Sequence, residues 1–491
     1  MLDGTPIIKG MRAFRDRDSH IRHCKIIGTL GPASSNEETL SQLIEAGLNI
    51  VRLNFSHGDH ATHAKNIELV RMLSKKHARH VTILQDLQGP KIRCGKLRND
   101  QMVLQKNEIH TLKFGHEQTD DTIPIDYRDI VQDVAVGDRV MMDDGLLILE
   151  VTGSKQKTLQ VKVLEGGLLK SRKGVNFPDS HLSLPALTEK DTKDLLFGIA
   201  QRVDVVALSF VQSPDDLTVC RKIIQALGAD TPIIAKIEKI SAVNDIDKIA
   251  KVADGLMVAR GDLGVECQVE KVPSFQRLIV NAAAQEAIPV IIATQMLESM
   301  VENPRASLAE LADVANGVLE GADAIMLSAE VAAGRFPVEC VKRMVEVIEQ
   351  VESWAHTRTR RYSNTEIDSK WETHEAIARS TCEAADELNA RAIVCLTLTG
   401  SIARQISRWR PHTPIIAISP REEVIHRLEL IWGVYGMRNP LFYNTDVLLQ
   451  DLPHLLKSLG IVQSGDTIVI TAGIPINSMN PTNMIKINTI P

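Results

Sequence analysis

Two short apolar runs near the middle of the chain end in groups that could do chemistry together. Ala235-Lys236-Ile237-Glu238 closes one, and Val258-Ala259-Arg260-Gly261-Asp262-Leu263-Gly264 closes the next. A lysine and two carboxylates at neighbouring strand ends suit a divalent cation held beside a phosphorylated anion. Hard cations take carboxylate oxygens, and a compact ammonium supplies the positive charge that phosphate requires. Glu238 and Asp262 are therefore the candidate Mg²⁺ ligands, with Mn²⁺ as an alternative ion. Such an ion uses one or two carboxylates and leaves positions for water and substrate oxygens. Lys236 is the candidate for stabilising charge that develops on a group in transfer. The competing reading of Glu238 is a plain salt bridge to Lys236 or Lys239. Gly261 and Gly264 leave backbone N–H groups unencumbered where a loop meets a helix, an arrangement that receives carboxylates.

Eight short β-branched runs alternate with helical stretches, which predicts parallel βα units closing into a (β/α)8 TIM barrel. The runs are Lys25 to Leu30, Asn49 to Phe55, Val81 to Leu84, Val203 to Phe210, those ending at Lys236/Glu238 and Arg260/Asp262, Pro289 to Ala293, and Asp323 to Leu327. Polar residues follow the runs, and catalytic groups of such barrels sit at the C-terminal strand ends. The third and fourth runs are too far apart for one crossover helix, so an inserted domain is expected. Its texture is β, with Asp143-Asp144-Gly145 as a hairpin signal before Leu146 to Leu149. A small β-barrel there would act as a lid over the mouth. After the amphipathic stretch Pro337 to Trp354 and a charge-rich linker, Thr357 to Lys370, the chain returns to an α/β pattern. The expected domains are an N-terminal segment (1–22), the catalytic barrel (23–91 and 186–356), the inserted lid (92–185) and a C-terminal α/β domain (371–491).

Composition agrees with an enzyme and excludes other classes. A net charge of −6 over 491 residues gives no nucleic-acid surface, and 3% aromatics gives few stacking platforms. Seven scattered cysteines without CxxC spacing read as reduced thiols of a cytoplasmic protein. Neither a signal peptide nor a membrane span is visible.

The motifs Thr29-Leu30-Gly31-Pro32-Ala33-Ser34, Arg52-Leu53-Asn54-Phe55-Ser56-His57-Gly58, Ala235 to Glu238, Met257 to Gly264, Ala293 to Met300 and Met326 to Gly334 resemble those of pyruvate kinase, in order, from about Cys24 to the C-terminus. The resemblance implies Mg²⁺-dependent phosphoryl transfer from phosphoenolpyruvate to ADP, giving pyruvate and ATP in glycolysis, by a homotetramer. It assigns Lys236, Arg52 and Thr294 to catalysis. Arg52, Lys236, Gly261, Asp262 and Thr294 would receive the substrate, and Asn54, His57, Arg93 and Lys173 would lie near the nucleotide phosphates. His57 also reads as an ordinary turn histidine. The proton source for the enolate stays open between Thr294, a water chain, and a relay through Ser328 or Glu330.

The segment Asp86-Leu87-Gln88-Gly89-Pro90-Lys91 departs from the family's commonest pattern, Asp-Thr-Lys-Gly-Pro-Glu, whose glutamate accompanies a required K⁺. Lys91 is read as a tethered substitute for that ion near Asp86, Arg52 and Arg93, so no K⁺ requirement is expected. At Val331 the usual threonine hydroxyl is missing. The C-terminal loop Thr397 to Ile402 matches the family's effector loop only in part, and Gly473 to Asn483 carries no lysine or arginine. Tight fructose 1,6-bisphosphate binding is not expected, while a monophosphate effector stays open. The rival readings are a metal-dependent aldolase or lyase acting on a pyruvate enolate, and a catalytically silent metabolite-binding protein.

Overall fold

The computed structural model describes residues 21–180, 182–356, 372–439, 445–474 and 481–491. The expected N-terminal segment and the 357–370 linker fall almost entirely outside these residues. Eight parallel strands close a barrel in the order β1-β8-β7-β6-β5-β4-β3-β2. They are β1 (Lys25–Thr29), β2 (Ile50–Asn54), β3 (Thr82–Asp86), β4 (Val205–Leu208), β5 (Ile233–Ile237), β6 (Gly255–Ala259), β7 (Val290–Ala293) and β8 (Ala324–Leu327). Their β-branched residues suit strands buried on both faces. Inward-facing Ile27, Ile50, Leu84, Val205, Ile234, Met257, Ile291 and Met326 fill the interior. Outward-facing residues pack under the helices. Those helices begin where sequence chemistry dictates: Asn36 and Asp59 accept from the backbone N–H three residues on, and Thr188 and Ser307 form capping boxes.

The bottom of the barrel repeats one device four times. The residue just before each even-numbered strand turns its side chain onto an early N–H of the odd-numbered strand beside it. Asn49 accepts from Ile26 N (3.1 Å), Asp204 from Ile83 N (2.7 Å), Asp254 from Ile233 N (2.8 Å) and Asp323 from Val290 N (3.0 Å). Each staple satisfies a donor that a strand end would otherwise leave without a ladder partner.

The insertion between β3 and β4 is a six-stranded sheet, with a two-stranded sheet (Gln101–Leu104 and Gly167–Lys170) beside it. The larger sheet's edge strands are Val175–Asn176 and Ile123–Ile125. Arg93 bridges to Gly174 and Cys94 to Ile125, so two adjacent residues join the opposite edges and close the sheet into a small barrel. The hairpin turn at Asp143-Asp144-Gly145 carries positive φ at all three positions, as expected of such a turn.

The C-terminal domain is a five-stranded sheet in the order β11-β10-β9-β12-β13, with β13 antiparallel to β12. Its strands are β9 (Ala392–Leu396), β10 (Ile415–Ser419), β11 (Val434–Arg438), β12 (Thr467–Ala472) and β13 (Met484–Thr489). Strand β11 was not expected from the sequence, because Gly436 and Arg438 interrupt its apolar pattern. This domain covers the bottom of the barrel. Leu430 joins the interior cluster, and Lys25 Nζ donates to Val434 O at 2.5 Å. Arg410 Nη2 lies 3.1 Å from Asp323 Oδ2, and Asp204 receives Arg71 (2.9 Å) and His426 Nδ1 (3.2 Å).

Candidate active site

The C-terminal ends of the strands hold a continuous chain of alternating charges. Arg52, in β2, sets Nε 2.6 Å from Asp86 Oδ2 and Nη1 3.0 Å from Thr29 Oγ1. Asp86 Oδ1, at the end of β3, lies 3.1 Å from Lys236 Nζ. Lys236, in β5, reaches Glu238 Oε1 at 3.0 Å and donates to Ser209 Oγ at 2.6 Å. Glu238 Oε2 accepts from Phe210 N at 2.6 Å, an N–H presented by a left-handed turn (φ 55°). That turn packs on Gly89, where a Cβ would meet Ser209 Cβ at 2.8 Å and the Phe210 ring at 2.7 Å, so glycine is required there.

These charges are buried, and their proton affinities report the competition. For Lys236, burial alone would favour the neutral amine. Asp86 and Glu238 outweigh it and hold the ammonium above the ordinary lysine value. For Asp86, burial again opposes charge, but Lys236 and Arg52 hold the carboxyl below its usual range. Glu238 goes the other way: burial, reinforced by the negative Asp262, outweighs Lys236 and pushes its carboxyl up. A second carboxylate that raises the first is an electrostatic invitation to a cation. Among the described residues no group of three or more His, Cys, Asp or Glu side chains gathers as a metal cage. Two carboxylates with open positions fit Mg²⁺, which keeps waters and takes substrate oxygens. The salt-bridge reading of Glu238 is thus also present in the structure, but it does not use up the charge at the site.

Asp262 lies in the helix Arg260–Glu266, which follows β6 directly. Thr294 follows β7 with φ 68°, a rare conformation for a β-branched residue, and Gln295 follows at 55°. Arg260 holds this turn: its guanidinium donates to Thr294 O (2.6 Å) and Gln295 O (3.1 Å) while pairing with Asp313 (2.8 Å). Gly261 N donates to Thr294 Oγ1 at 2.9 Å, and that hydroxyl donates to Ala293 O at 2.6 Å. Two groups assigned to the substrate are therefore bonded to each other. Both oxygens of Glu330 are taken by backbone amides, of Ser328 (2.7 Å) and Leu297 (3.2 Å). Glu330 thereby ties the ends of β7 and β8 together.

The residues expected around the nucleotide are not gathered into one cluster. Asn54 Oδ1 accepts from Ser56 N, His57 is exposed, and Arg93 Nη1 donates to Arg172 O within the lid. Lys173 pairs with Asp143 at 2.6 Å, also within the lid. Lys91 forms an ion pair with Asp262 (3.9 Å), while the two oxygens of Asp86 are occupied by Arg52 and Lys236. Asp86 at the end of β3 and Ser209 just after β4 also belong to the site, although the sequence assigns neither a catalytic or binding role.

Comparison with known proteins shows the family to which the chain belongs. Residues 21–341 match the family pattern "Pyruvate kinase, barrel domain", and residues 375–488 match "Pyruvate kinase, alpha/beta domain". The chain belongs to the pyruvate kinase family. It is 42% identical to pyruvate kinase 2 of Synechocystis sp., over 96% of this chain and 79% of that protein. It is 40% identical to the pyruvate kinase of Clostridium acetobutylicum, over 95% of this chain and 99% of the relative. The crystal structure of a pyruvate kinase from Cryptosporidium parvum superposes with a TM-score of 0.89 at 33% identity, covering 99% of this chain and 98% of that one. The chain is accordingly a phosphotransferase of a family that generally uses Mg²⁺. No helix among the described residues is long and apolar enough to cross a membrane.

Proposed function

We propose that the strand-end cluster transfers the phosphoryl group of phosphoenolpyruvate to ADP, giving pyruvate and ATP, as the family's activity implies. The observation that carries this reading is the buried sequence Arg52–Asp86–Lys236–Glu238 with Asp262 beside it. Glu238 and Asp262 are the groups that would hold Mg²⁺, which when bound supplies charge neutralisation for substrate oxygens. Arg52 keeps Nη2 for a phosphate oxygen, since Nε and Nη1 are committed to Asp86 and Thr29. Lys236 is fixed by three partners, so its ammonium meets developing charge on the phosphoryl group and the enolate without reorganising. Thr294, Gly261 and the Asp262 backbone orient the three-carbon acid. The enolate takes its proton from water, because Glu330 is tied up by amides and a threonine hydroxyl is a weak acid.

Lid closure would bring Arg93 and Lys173 to the nucleotide phosphates, with Asn54 and His57 on the barrel side. A tethered ammonium at Lys91 supports turnover without K⁺. All seven cysteines are free, which supports a reducing cytoplasm. A homotetramer and a phosphorylated small-molecule effector at the C-terminal domain follow from family membership. The test is phosphoenolpyruvate labelled in its phosphate, incubated with ADP and Mg²⁺: label should appear in ATP. Label released only as inorganic phosphate would overturn the assignment.

A further inference from the structure

Each candidate metal ligand has its own lysine, and the two lysines differ in every physical respect. Lys236, on Glu238, is 11% exposed and fastened to Asp86, Glu238 and Ser209. Lys91, on Asp262, has its side chain 32% exposed, and the Asp262 side chain is 36% exposed. Asp262 is the one ion-pair partner of Lys91 among the described residues, and the 3.9 Å separation is that of a loose pair. The backbone of Lys91 lies at the start of the lid. A Cβ placed on Gly174, just before the lid's edge strand Val175–Asn176, would come within 3.4 Å of Lys91 Cε. The lid touches the same barrel helix again where Asn176 Nδ2 donates to Glu266 Oε1 at 2.8 Å. Lys91 thus stands between the lid's return strand and the carboxylate that a cation needs.

We propose that Lys91 is a displaceable counter-ion for Asp262, which must leave that carboxylate when a divalent cation binds and which then couples cation binding to binding of the phosphorylated substrate. The proposal rests on the reading of Asp262 as a metal ligand. The negative charges of Glu238 and Asp262 repel each other, and Lys91 offsets the charge on Asp262. A divalent cation does the same more strongly, so the ammonium and the cation compete for one carboxylate. Lys236 cannot give way, because leaving would strand buried Glu238 without a counter-charge and leave Asp86 with Arg52 alone. Lys91 can, because its tether is a flexible stem ending near solvent. Once released beside a dication, the ammonium is repelled by it and seeks a new anion. The phosphate of the incoming substrate is the anion that the site supplies. Cation and substrate should therefore each strengthen the other through this one residue.

The test is Mn²⁺ binding to the full-length protein, read by the free-ion electron paramagnetic resonance signal, with and without phosphoenolpyruvate and without ADP. Lys91→Met should bind Mn²⁺ alone about two- to fivefold more tightly, the span expected for losing a competing exposed ion pair. The factor by which phosphoenolpyruvate tightens Mn²⁺ should shrink in the same variant. Lys91→Gln, which keeps a polar stem, guards against a folding defect and should show the same two changes. Mn²⁺ affinity that is unchanged or weaker in both variants, with native circular dichroism, would overturn the proposal. Asp262→Asn separates the underlying reading. If it leaves Mn²⁺ affinity intact, Asp262 is not a ligand and the proposal falls with that reading. If it abolishes Mn²⁺ binding while the Lys91 variants bind normally, only the counter-ion role is wrong.

Discussion

Both ends of the barrel carry buried charge and use it in opposite ways. At the bottom Asp204 and Asp323 are closed off. Asp204 is shared among Ile83 N, Arg71 and His426, and Asp323 among Val290 N, Arg410 and Trp432 N. At the top the charges are left unbalanced. Glu238 is pushed up by burial and by Asp262, Arg52 keeps a free fork position, and Asp262 has only a loose partner. Polar residues at strand ends do not by themselves mark function. What separates the ends is whether the protein supplies all the partners or leaves some for a ligand.

Breaking the top should cost rate. Lys236→Met should lower kcat by about 10²–10³ or more, read in a coupled pyruvate assay, since a preorganised stabiliser of developing charge is lost. The sequence alone suggests that this variant folds normally. The structure adds that Asp86 and Glu238 would lose their shared counter-charge, so the thermal midpoint should fall as well. Unchanged turnover would show that Lys236 is merely structural.

Breaking the bottom should cost stability and leave the chemistry alone. Asp204→Asn should destabilise by about 3 kcal/mol near neutral pH, the scale for breaking a buried pair, in urea unfolding. Burial alone would raise this carboxyl, but His426 and Arg71 overcome it and hold it below the usual aspartate value. A depressed carboxylate contributes stability that is complete above its unfolded value and lost as pH falls through the folded one. The difference between wild type and variant should therefore hold at neutral pH and shrink in acid below about pH 4. A pH-independent difference would mean that packing, not charge, holds this contact.

The inserted domain sharpens the contrast, because its Arg93 and Lys173 are partnered within that domain and belong to neither end. Lys173→Met should raise the KM for ADP about tenfold, the loss of one charge-assisted phosphate contact, with KM for phosphoenolpyruvate nearly unchanged. Equal effects on both substrates would place Lys173 elsewhere. The smallest effect is expected from K⁺. Turnover in tetramethylammonium buffer at fixed ionic strength should change less than about twofold on adding KCl, because a free ion would face the Lys91 ammonium. Strong activation by KCl would show that Lys91 does not stand in for it.

The barrel was legible in the sequence because strands buried on both faces leave unbroken β-branched runs, and because the runs end in Lys236, Glu238 and Asp262. The staples at the bottom were not. Asp204, Asp254 and Asp323 each precede a strand, where an aspartate passes for an ordinary turn residue until its neighbour in space is known. Asp86 was missed as a site residue for a related reason: it lies at the buried end of β3, and only the barrel's closure puts it between Arg52 and Lys236. The Asp262 partner of Lys91 was not legible, because a long flexible side chain can reach several carboxylates and sequence does not say which one is already occupied. The closure of the lid through Arg93 and Cys94 rests on two isolated bridges that leave no periodic trace.

The fourfold staple has a mechanical consequence at one seam. Strands β3 and β4 are neighbours in the barrel, yet the whole lid is strung between their upper and lower ends along the chain. Any swing of the lid pulls on Asp86 and the residues after it. A slip of one residue between these strands would turn Asp86 to the opposite face and dismantle the charge chain. Asp204 pins Ile83 at the foot of that seam and is itself anchored by Arg71 and by His426 from the C-terminal domain. Pinned at its foot, the seam keeps its strand register, and with it the aim of Asp86.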